Sequence, residues 1–195
     1  MKATTEKAFE AYIEESLLEK GGWVPGTNKE WDKKNAIFHQ RIISFIKDTQ
    51  LKLYQKMQEL HGNELDEKII STLIKEKNIK GTLHILRHGF RFFGKTIDMA
   101  YFKPAHSLNN DILEKYNKNQ LTVTRQVVCH TVNNDTIDLV FSINGLPVAT
   151  CELKNPATGQ NWKNAVAQYR KDRDWRMPLF KFKTSAVVHF AADPD

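Results

Sequence analysis

No apolar run in the 195 residues approaches the roughly 20 that a membrane-spanning helix requires. Met1 leads instead into a charged, amphipathic segment, so neither a membrane span nor a secretory leader is expected. Cysteine is scarce: Cys129 and Cys151 are the two present, and neither belongs to a cluster with metal-ligand spacing. Both lie in strand-like runs and read as small buried hydrophobes in a reducing compartment. The cytoplasm is therefore the expected location. Acidic residues are outnumbered, 23 against 29 Lys and Arg, for a net charge of +6. That balance is compatible with a polyanionic partner and equally with solubility alone. The length suffices for one domain with a sizeable core, or one domain with a helical addition.

What the chain does have is centred on residues 133–155. Two strand-like runs flank Asn144-Gly145, a strong short-range turn signal. In the first, apolar Ile137, Leu139, Phe141 and Ile143 alternate with Asp138, Val140 and Ser142. In the second, Ala149, Cys151 and Leu153 share one face, and Val148, Thr150, Glu152 and Lys154 the other. A plain two-residue turn would pair Ile143 with Leu146 and turn the two apolar faces to opposite sides. Either a three-residue loop with Gly145 in a left-handed conformation or a bulge near Pro147 corrects this. Asp138, Glu152 and Lys154 then gather on one face. Two converging carboxylates repel unless a positive group lies between them. Mg²⁺ is a natural filler, since it takes one or two carboxylates, keeps waters and accepts phosphate oxygens. A lysine on the same face could stabilise charge on a phosphate, which makes metal-assisted phosphodiester hydrolysis the chemistry to expect. Solvated charges on a hairpin's polar face are the bland alternative.

Upstream, a first helix is predicted from about Thr4 to Lys20, capped by Thr4 or Thr5 and stopped by Gly21-Gly22. Glu6 falls between Ile13 and Leu17 on its inner face, and Glu10 lies at the margin. A loop over 23–28 leads into a predicted helical block at 29–60, and a second helix runs to about Lys77. Both read as packing or partner-docking helices. Strands are expected over 82–87, 90–93, 96–102 and 121–132, with a short helix over 110–116. Residues 89–96 match the phosphate-loop spacing G-x-x-x-x-G-K-[ST], but the interior holds three phenylalanines and the following segment reads as a strand. The match is taken as accidental, in a hairpin.

After the central strands, a helix is predicted over 162–174 with Trp162, Ala165, Val166 and Tyr169 inward and Gln168 at the edge of that face. From that edge an amide could touch a phosphate or a metal-bound water. Eight Lys and Arg residues fall from Lys154 onward, interleaved with Trp162, Tyr169 and Trp175, which suits a surface tracking a nucleic-acid backbone. Strands at 180–182 and 186–191 close the chain.

These residues carry a resemblance. Ile137-Asp138-Leu139-Val140, Asn144-Gly145-Leu146-Pro147, Glu152-Leu153-Lys154-Asn155-Pro156 and the run 165–172 resemble the N-terminal nuclease domain of the restriction (R) subunit of type I restriction-modification enzymes. The similarity reaches upstream through Leu86-Arg87-His88-Gly89 and Thr124-Arg125-Gln126-Val127 to the first helix. It implies an α/β (α+β) fold with a restriction-endonuclease-like core, a mixed β-sheet flanked by helices. On this reading residues 1–195 are one nuclease domain, with a helical insertion at about 29–77 and a β-rich catalytic core at about 81–195. The resemblance makes Asp138 and Glu152 the Mg²⁺ ligands with the Leu153 carbonyl, Lys154 the catalytic lysine, and Gln168 the glutamine of a Q-x-x-x-Y motif. Asp172 stands where that motif has its tyrosine. A first-helix glutamate of related nucleases corresponds to Glu6 or Glu10. The resemblance further implies double-stranded DNA as substrate, methylation and specificity subunits as partners, and ATP used by a motor region not recognisable here, so that an N-terminal fragment is expected. Two other classes stand beside this expectation: a non-catalytic DNA-clamping or subunit-docking domain, and nucleotide binding at Gly89–Thr96.

Overall fold

The computed structural model describes residues 5–105 and 109–194. Its centre is a five-stranded mixed sheet in the order β1-β6-β7-β8-β9: β1 (Val24–Pro25), β6 (Leu121–Val128), β7 (Thr136–Ile143), β8 (Leu146–Leu153) and β9 (Val188–Ala192). The inner pairs β6/β7 and β7/β8 are antiparallel, and both outer pairs are parallel. The expected α/β core with a mixed sheet and flanking helices is what the chain forms.

Helix α1 (Glu6–Lys20) begins at Thr5, whose side chain accepts the Ala8 N–H; the other expected cap, Thr4, lies outside the described residues. Phe9 is buried against Val123, Leu139, Cys151 and Leu153, with Ile13 and Leu17 beside it. Burial of an aromatic or aliphatic side chain of this size is worth roughly 1.5–3 kcal/mol, so this stripe fixes α1 to the sheet. Because side chains alternate along β8, Thr150 and Glu152 point to the opposite face. There Thr150 meets Tyr169 of α7 (Trp162–Lys171) at 2.8 Å and His189 of β9 at 2.7 Å.

The segment predicted as one helical block at 29–60 is broken. A short hairpin of β2 (Trp31–Asp32) and β3 (Ile37–Phe38) comes first, because the Asp32 carboxylate accepts the Lys34 and Asn35 N–H groups and turns the chain. Helices α2 (His39–Thr49) and α3 (Leu51–His61) follow, separated at Gln50, and then α4 (Leu65–Lys80). The side-chain amide of Gln50 both donates to and accepts from the Asp98 backbone at 2.9 Å. Residues 82–87, expected as a strand, form α5 (Thr82–His88) between two positive-φ glycines, with Ile85 and Leu86 sunk into the helical core. The expected strand at 96–102 shortens to β5 (Lys95–Ile97), which pairs with β4 (Phe90–Phe92). The phosphate-loop spacing thus lies on a hairpin turning at Phe93-Gly94, and its last residues, Lys95 and Thr96, belong to β5 instead of opening a helix. A helix α6 (Asn110–Asn117) precedes β6. Residues 180–182 are turns, not a strand, and Trp162 is 48% exposed where an inward position was expected. Trp162 occupies the first turn of α7, ahead of the buried Ala165.

The helical segment docks on the Asn144-Gly145 turn. Leu146 belongs to its core with Ile42, Leu73 and Phe92, and the Phe38 N–H donates to the Gly145 carbonyl at 2.9 Å. Asn144 is fully buried in a left-handed conformation and gives its amide to the Met99 carbonyl and the Asn119 side chain.

Candidate nuclease site

The turn itself closes in two residues, with Ile143 opposite Leu146 and Ser142 opposite Pro147. A bulge then intervenes, and Phe141 pairs with Ala149 and Leu139 with Cys151. The slip demanded by the apolar pattern is therefore supplied at Val148, beside Pro147, and the three-residue loop is not used. Continuing that register sets Asp138 across from Glu152. The regular ladder ends here: the Leu153 N–H, instead of bonding along the strand, donates to Asp138 Oδ2 at 2.7 Å.

Glu152 is 1% exposed. Burial pushes its carboxyl up to about 7; the positive charge of Arg173 pulls it back, the negative charge of Asp138 adds to the rise and Lys154 opposes it. Asp138 and Lys154 thus both lie within electrostatic reach of Glu152. Lys154 sits two positions beyond Glu152, half-buried, and its backbone continues the pairing to Ala192. Among the described residues its ammonium makes no hydrogen bond or ion pair.

The direct partner of Glu152 is one that the sequence did not single out. Arg173 donates to Glu152 Oε1 through Nε at 2.6 Å and also through Nη2, while Nη2 reaches the Thr136 carbonyl at 2.7 Å. It gets there because α7 stops short of the predicted end: the Gln168 carbonyl accepts both the Asp172 and the Arg173 N–H, which curls the chain back over β8. The Gln168 side chain is half-buried and forms no hydrogen bond among the described residues. Asp172, at the position of the motif's tyrosine, is the exposed C-cap of α7.

A second addition lies on the Asp138 side. Gln126, held at φ 49° within β6, donates one side-chain amide to Asp138 Oδ1 at 3.1 Å and to Glu10 Oε2 at 2.9 Å. Thr136 Oγ1 donates to Gln126 Oε1 and fixes the orientation of that amide. Glu10 is 2% exposed and is also held by Arg125 at 2.6 Å. Of the two candidate glutamates on α1, Glu10 is therefore the one linked to Asp138, through Gln126, while Glu6 lines a shallow surface depression with Thr158 and Gln160. Strain at a non-glycine residue beside two carboxylates is typical of a position whose side chain is needed there.

A cation suits this donor set. Asp138 has no basic partner within ion-pair distance among the described residues, although it faces a second acid. Among the described residues each of its oxygens accepts a single hydrogen bond and keeps a lone pair, and Arg173 occupies Oε1 of Glu152, leaving Oε2 without a donor. Among the described residues no group of three or more His, Cys, Asp or Glu side chains is placed to hold a metal. An ion here would rest on two carboxylates, the Leu153 carbonyl and water, an all-oxygen set that suits a hard cation such as Mg²⁺.

Residues 3–192 match the family described as type I restriction enzyme R protein N terminus. The chain belongs to that family. The match takes in α1, the helical segment and the whole sheet. No curated protein matches the chain. No helix among the described residues is long and apolar enough to cross a membrane. Cys129 and Cys151 are free, and burial pushes their thiols up to about 11 and about 12, which leaves them as inert packing groups.

Proposed function

We propose that this domain is the Mg²⁺-dependent endonuclease part of a type I restriction R subunit, hydrolysing phosphodiester bonds of double-stranded DNA. The observation that carries the reading is the register at the bulge, which sets Asp138 across from Glu152, with no basic partner for Asp138 among the described residues. Asp138, Glu152 and the Leu153 carbonyl would hold the ion. When bound, Mg²⁺ supplies Lewis acidity toward the phosphodiester. The protein groups do the rest. Arg173 holds Glu152 in one orientation, Gln126 and the Leu153 N–H do the same for Asp138, and the Lys154 ammonium neutralises charge building on the phosphate. Gln168 takes a phosphate oxygen or a water with its free amide. ATP-driven translocation, assembly with methylation and specificity subunits, and a cytoplasmic location belong to the same proposal, with sequence recognition assigned to the specificity subunit.

Calorimetric titration of Mn²⁺ into the chain and into Asp138→Ala tests the site directly. Binding to the first and none to the second is expected; equal binding by both sinks the assignment. In the assembled restriction complex, Asp138→Ala, Glu152→Ala and Lys154→Ala should each abolish cutting while assembly survives. Salt-sensitive DNA binding without metal dependence or nicking would favour the DNA-clamping role instead.

A further inference from the structure

Among the described residues, Lys77 is a buried cation without a counter-ion. Its side chain sits near the end of α4, 2% exposed, and its ammonium donates to two backbone carbonyls, Asn35 at 3.0 Å and Thr184 at 2.7 Å. An ammonium carries three donors, so one remains. No carboxylate among the described residues lies within ion-pair distance of it, and the acid whose charge it senses, Asp32, already pairs with His39 and accepts a hydrogen bond from Asn35. Isolated buried charge is expensive and is normally matched by an opposite charge or removed.

The missing charge has a place to go. Lys77 lines a cavity of about 150 Å³ together with Lys34, Asn35, Asn78, Arg176, Lys181 and Thr184, and among the described residues no acidic side chain lines it. Four basic groups, two amides and a hydroxyl surround a space with room for a few waters and none for a nucleoside. Arg176 is partly committed to Asp174, at 2.9–3.2 Å, which fixes its guanidinium at the rim. Burial lowers the Lys77 ammonium to about 8, as expected of a site that lacks its anion.

We propose that this cavity is a binding site for a phosphate group, with Lys77 at its floor and Lys34, Lys181 and Arg176 at its mouth. Its position ties it to the nuclease reading, on which this step rests. Arg173 grips Glu152, and Arg176 lines the cavity three residues later, so their Cα atoms are at most roughly 11 Å apart. A strand whose scissile phosphate lies at Asp138 and Glu152 can therefore reach the cavity with a phosphate a few nucleotides away. The same chemistry would also accept a free phosphate or the phosphates of a nucleotide.

The experiment uses the full chain, Lys77→Met and the surface double variant Lys34→Ser/Lys181→Ser, which keeps the test usable if the buried substitution impairs folding. Thermal melts and calorimetry with inorganic phosphate, against chloride at equal ionic strength, read the site itself. Phosphate should bind the native chain and bind the variants about tenfold more weakly or worse, the loss of one or more charge-assisted hydrogen bonds. A short duplex, followed by fluorescence anisotropy against salt, separates the sources: a shallower salt slope in the double variant identifies a strand phosphate. An unchanged slope with lost phosphate binding identifies a free anion and overturns the link to DNA. Phosphate binding that is absent, or equal in all three proteins, overturns the site. Asp138→Ala must keep phosphate binding, so a failed metal centre and a failed phosphate site give different results.

Discussion

Both Arg173 Nε and Arg173 Nη2 donate to one oxygen of Glu152, in a pair whose side chains are almost wholly withdrawn from water. Arg173→Met would leave the carboxylate buried and alone, which typically costs about 3–5 kcal/mol. The cost should grow with pH. Without the guanidinium, the folded-state pKa of Glu152 moves further above its unfolded value, and a raised carboxyl loses stability as pH climbs through the folded pKa. Urea denaturation at pH 6 and pH 8 reads this, and Glu152→Leu with Arg173→Met should recover most of the loss. A single variant as stable as the native chain at pH 8 would mean that the pair is not formed.

Gln126 ties Glu10 to Asp138 with one amide, so Gln126→Met should loosen both acids at once. Partners behind a metal ligand are commonly worth about 10–100-fold in metal affinity, and a loss of that order in a Mn²⁺ titration is expected. Gln126→Gly relieves the positive φ while removing the same bonds, so it should match Gln126→Met in metal binding and exceed it in stability. Unchanged affinity in both variants would confine Gln126 to a structural role.

The hairpin could be read from sequence because its constraint is local. Alternation in β7 and β8 permits one burial pattern, and only an odd slip satisfies it, though not whether loop or bulge supplies the slip. Arg173 could not be read in this way. Its contact with Glu152 depends on α7 ending at Lys171 and folding back through the Gln168 carbonyl, which no cap residue announces. Gln126 was hidden because it holds a left-handed conformation without being glycine. The hairpin at Trp31–Asp32 and Ile37–Phe38 was masked by helix-like apolar spacing, yet the Asx turn at Asp32 was the available signal. Residues 82–87 read as a strand from their local pattern, and the bounding glycines together with burial of Ile85 and Leu86 make them a helix.

Stability should rise with pH in the alkaline range because of Lys77. Its folded pKa is about 8, depressed by burial and by the neighbouring Lys181 against the pull of Asp32, from an ordinary 10.5. Between those values the unfolded chain binds more protons than the folded one, so folding gains as pH climbs from 8 toward 10.5. Lys77→Met should flatten that segment of a stability profile measured by denaturant titration. Saturating phosphate should flatten it too, because a bound anion restores the proton to the folded lysine.

The Asn144-Gly145 turn joins the sheet to the helical segment, and two glycines separate what conformation costs from what contact costs. Gly94 and Gly145 have φ of 78° and 87°, but a Cβ on Gly94 meets nothing within 4 Å, whereas one on Gly145 lies 2.7 Å from the Phe38 carbonyl oxygen and 2.8 Å from Ile42. Gly94→Ala should therefore cost about 1–2 kcal/mol, the ordinary penalty for a left-handed L-residue. Gly145→Ala must also push away the backbone that starts α2, so its cost should exceed that of Gly94→Ala, with the bond from Phe38 to Gly145 weakened. Hydrogen exchange locates the damage: amides of Phe38 and the first turn of α2 should lose protection in Gly145→Ala and keep it in Gly94→Ala. Equal costs with unchanged exchange at Phe38 would show that the helical segment is anchored elsewhere.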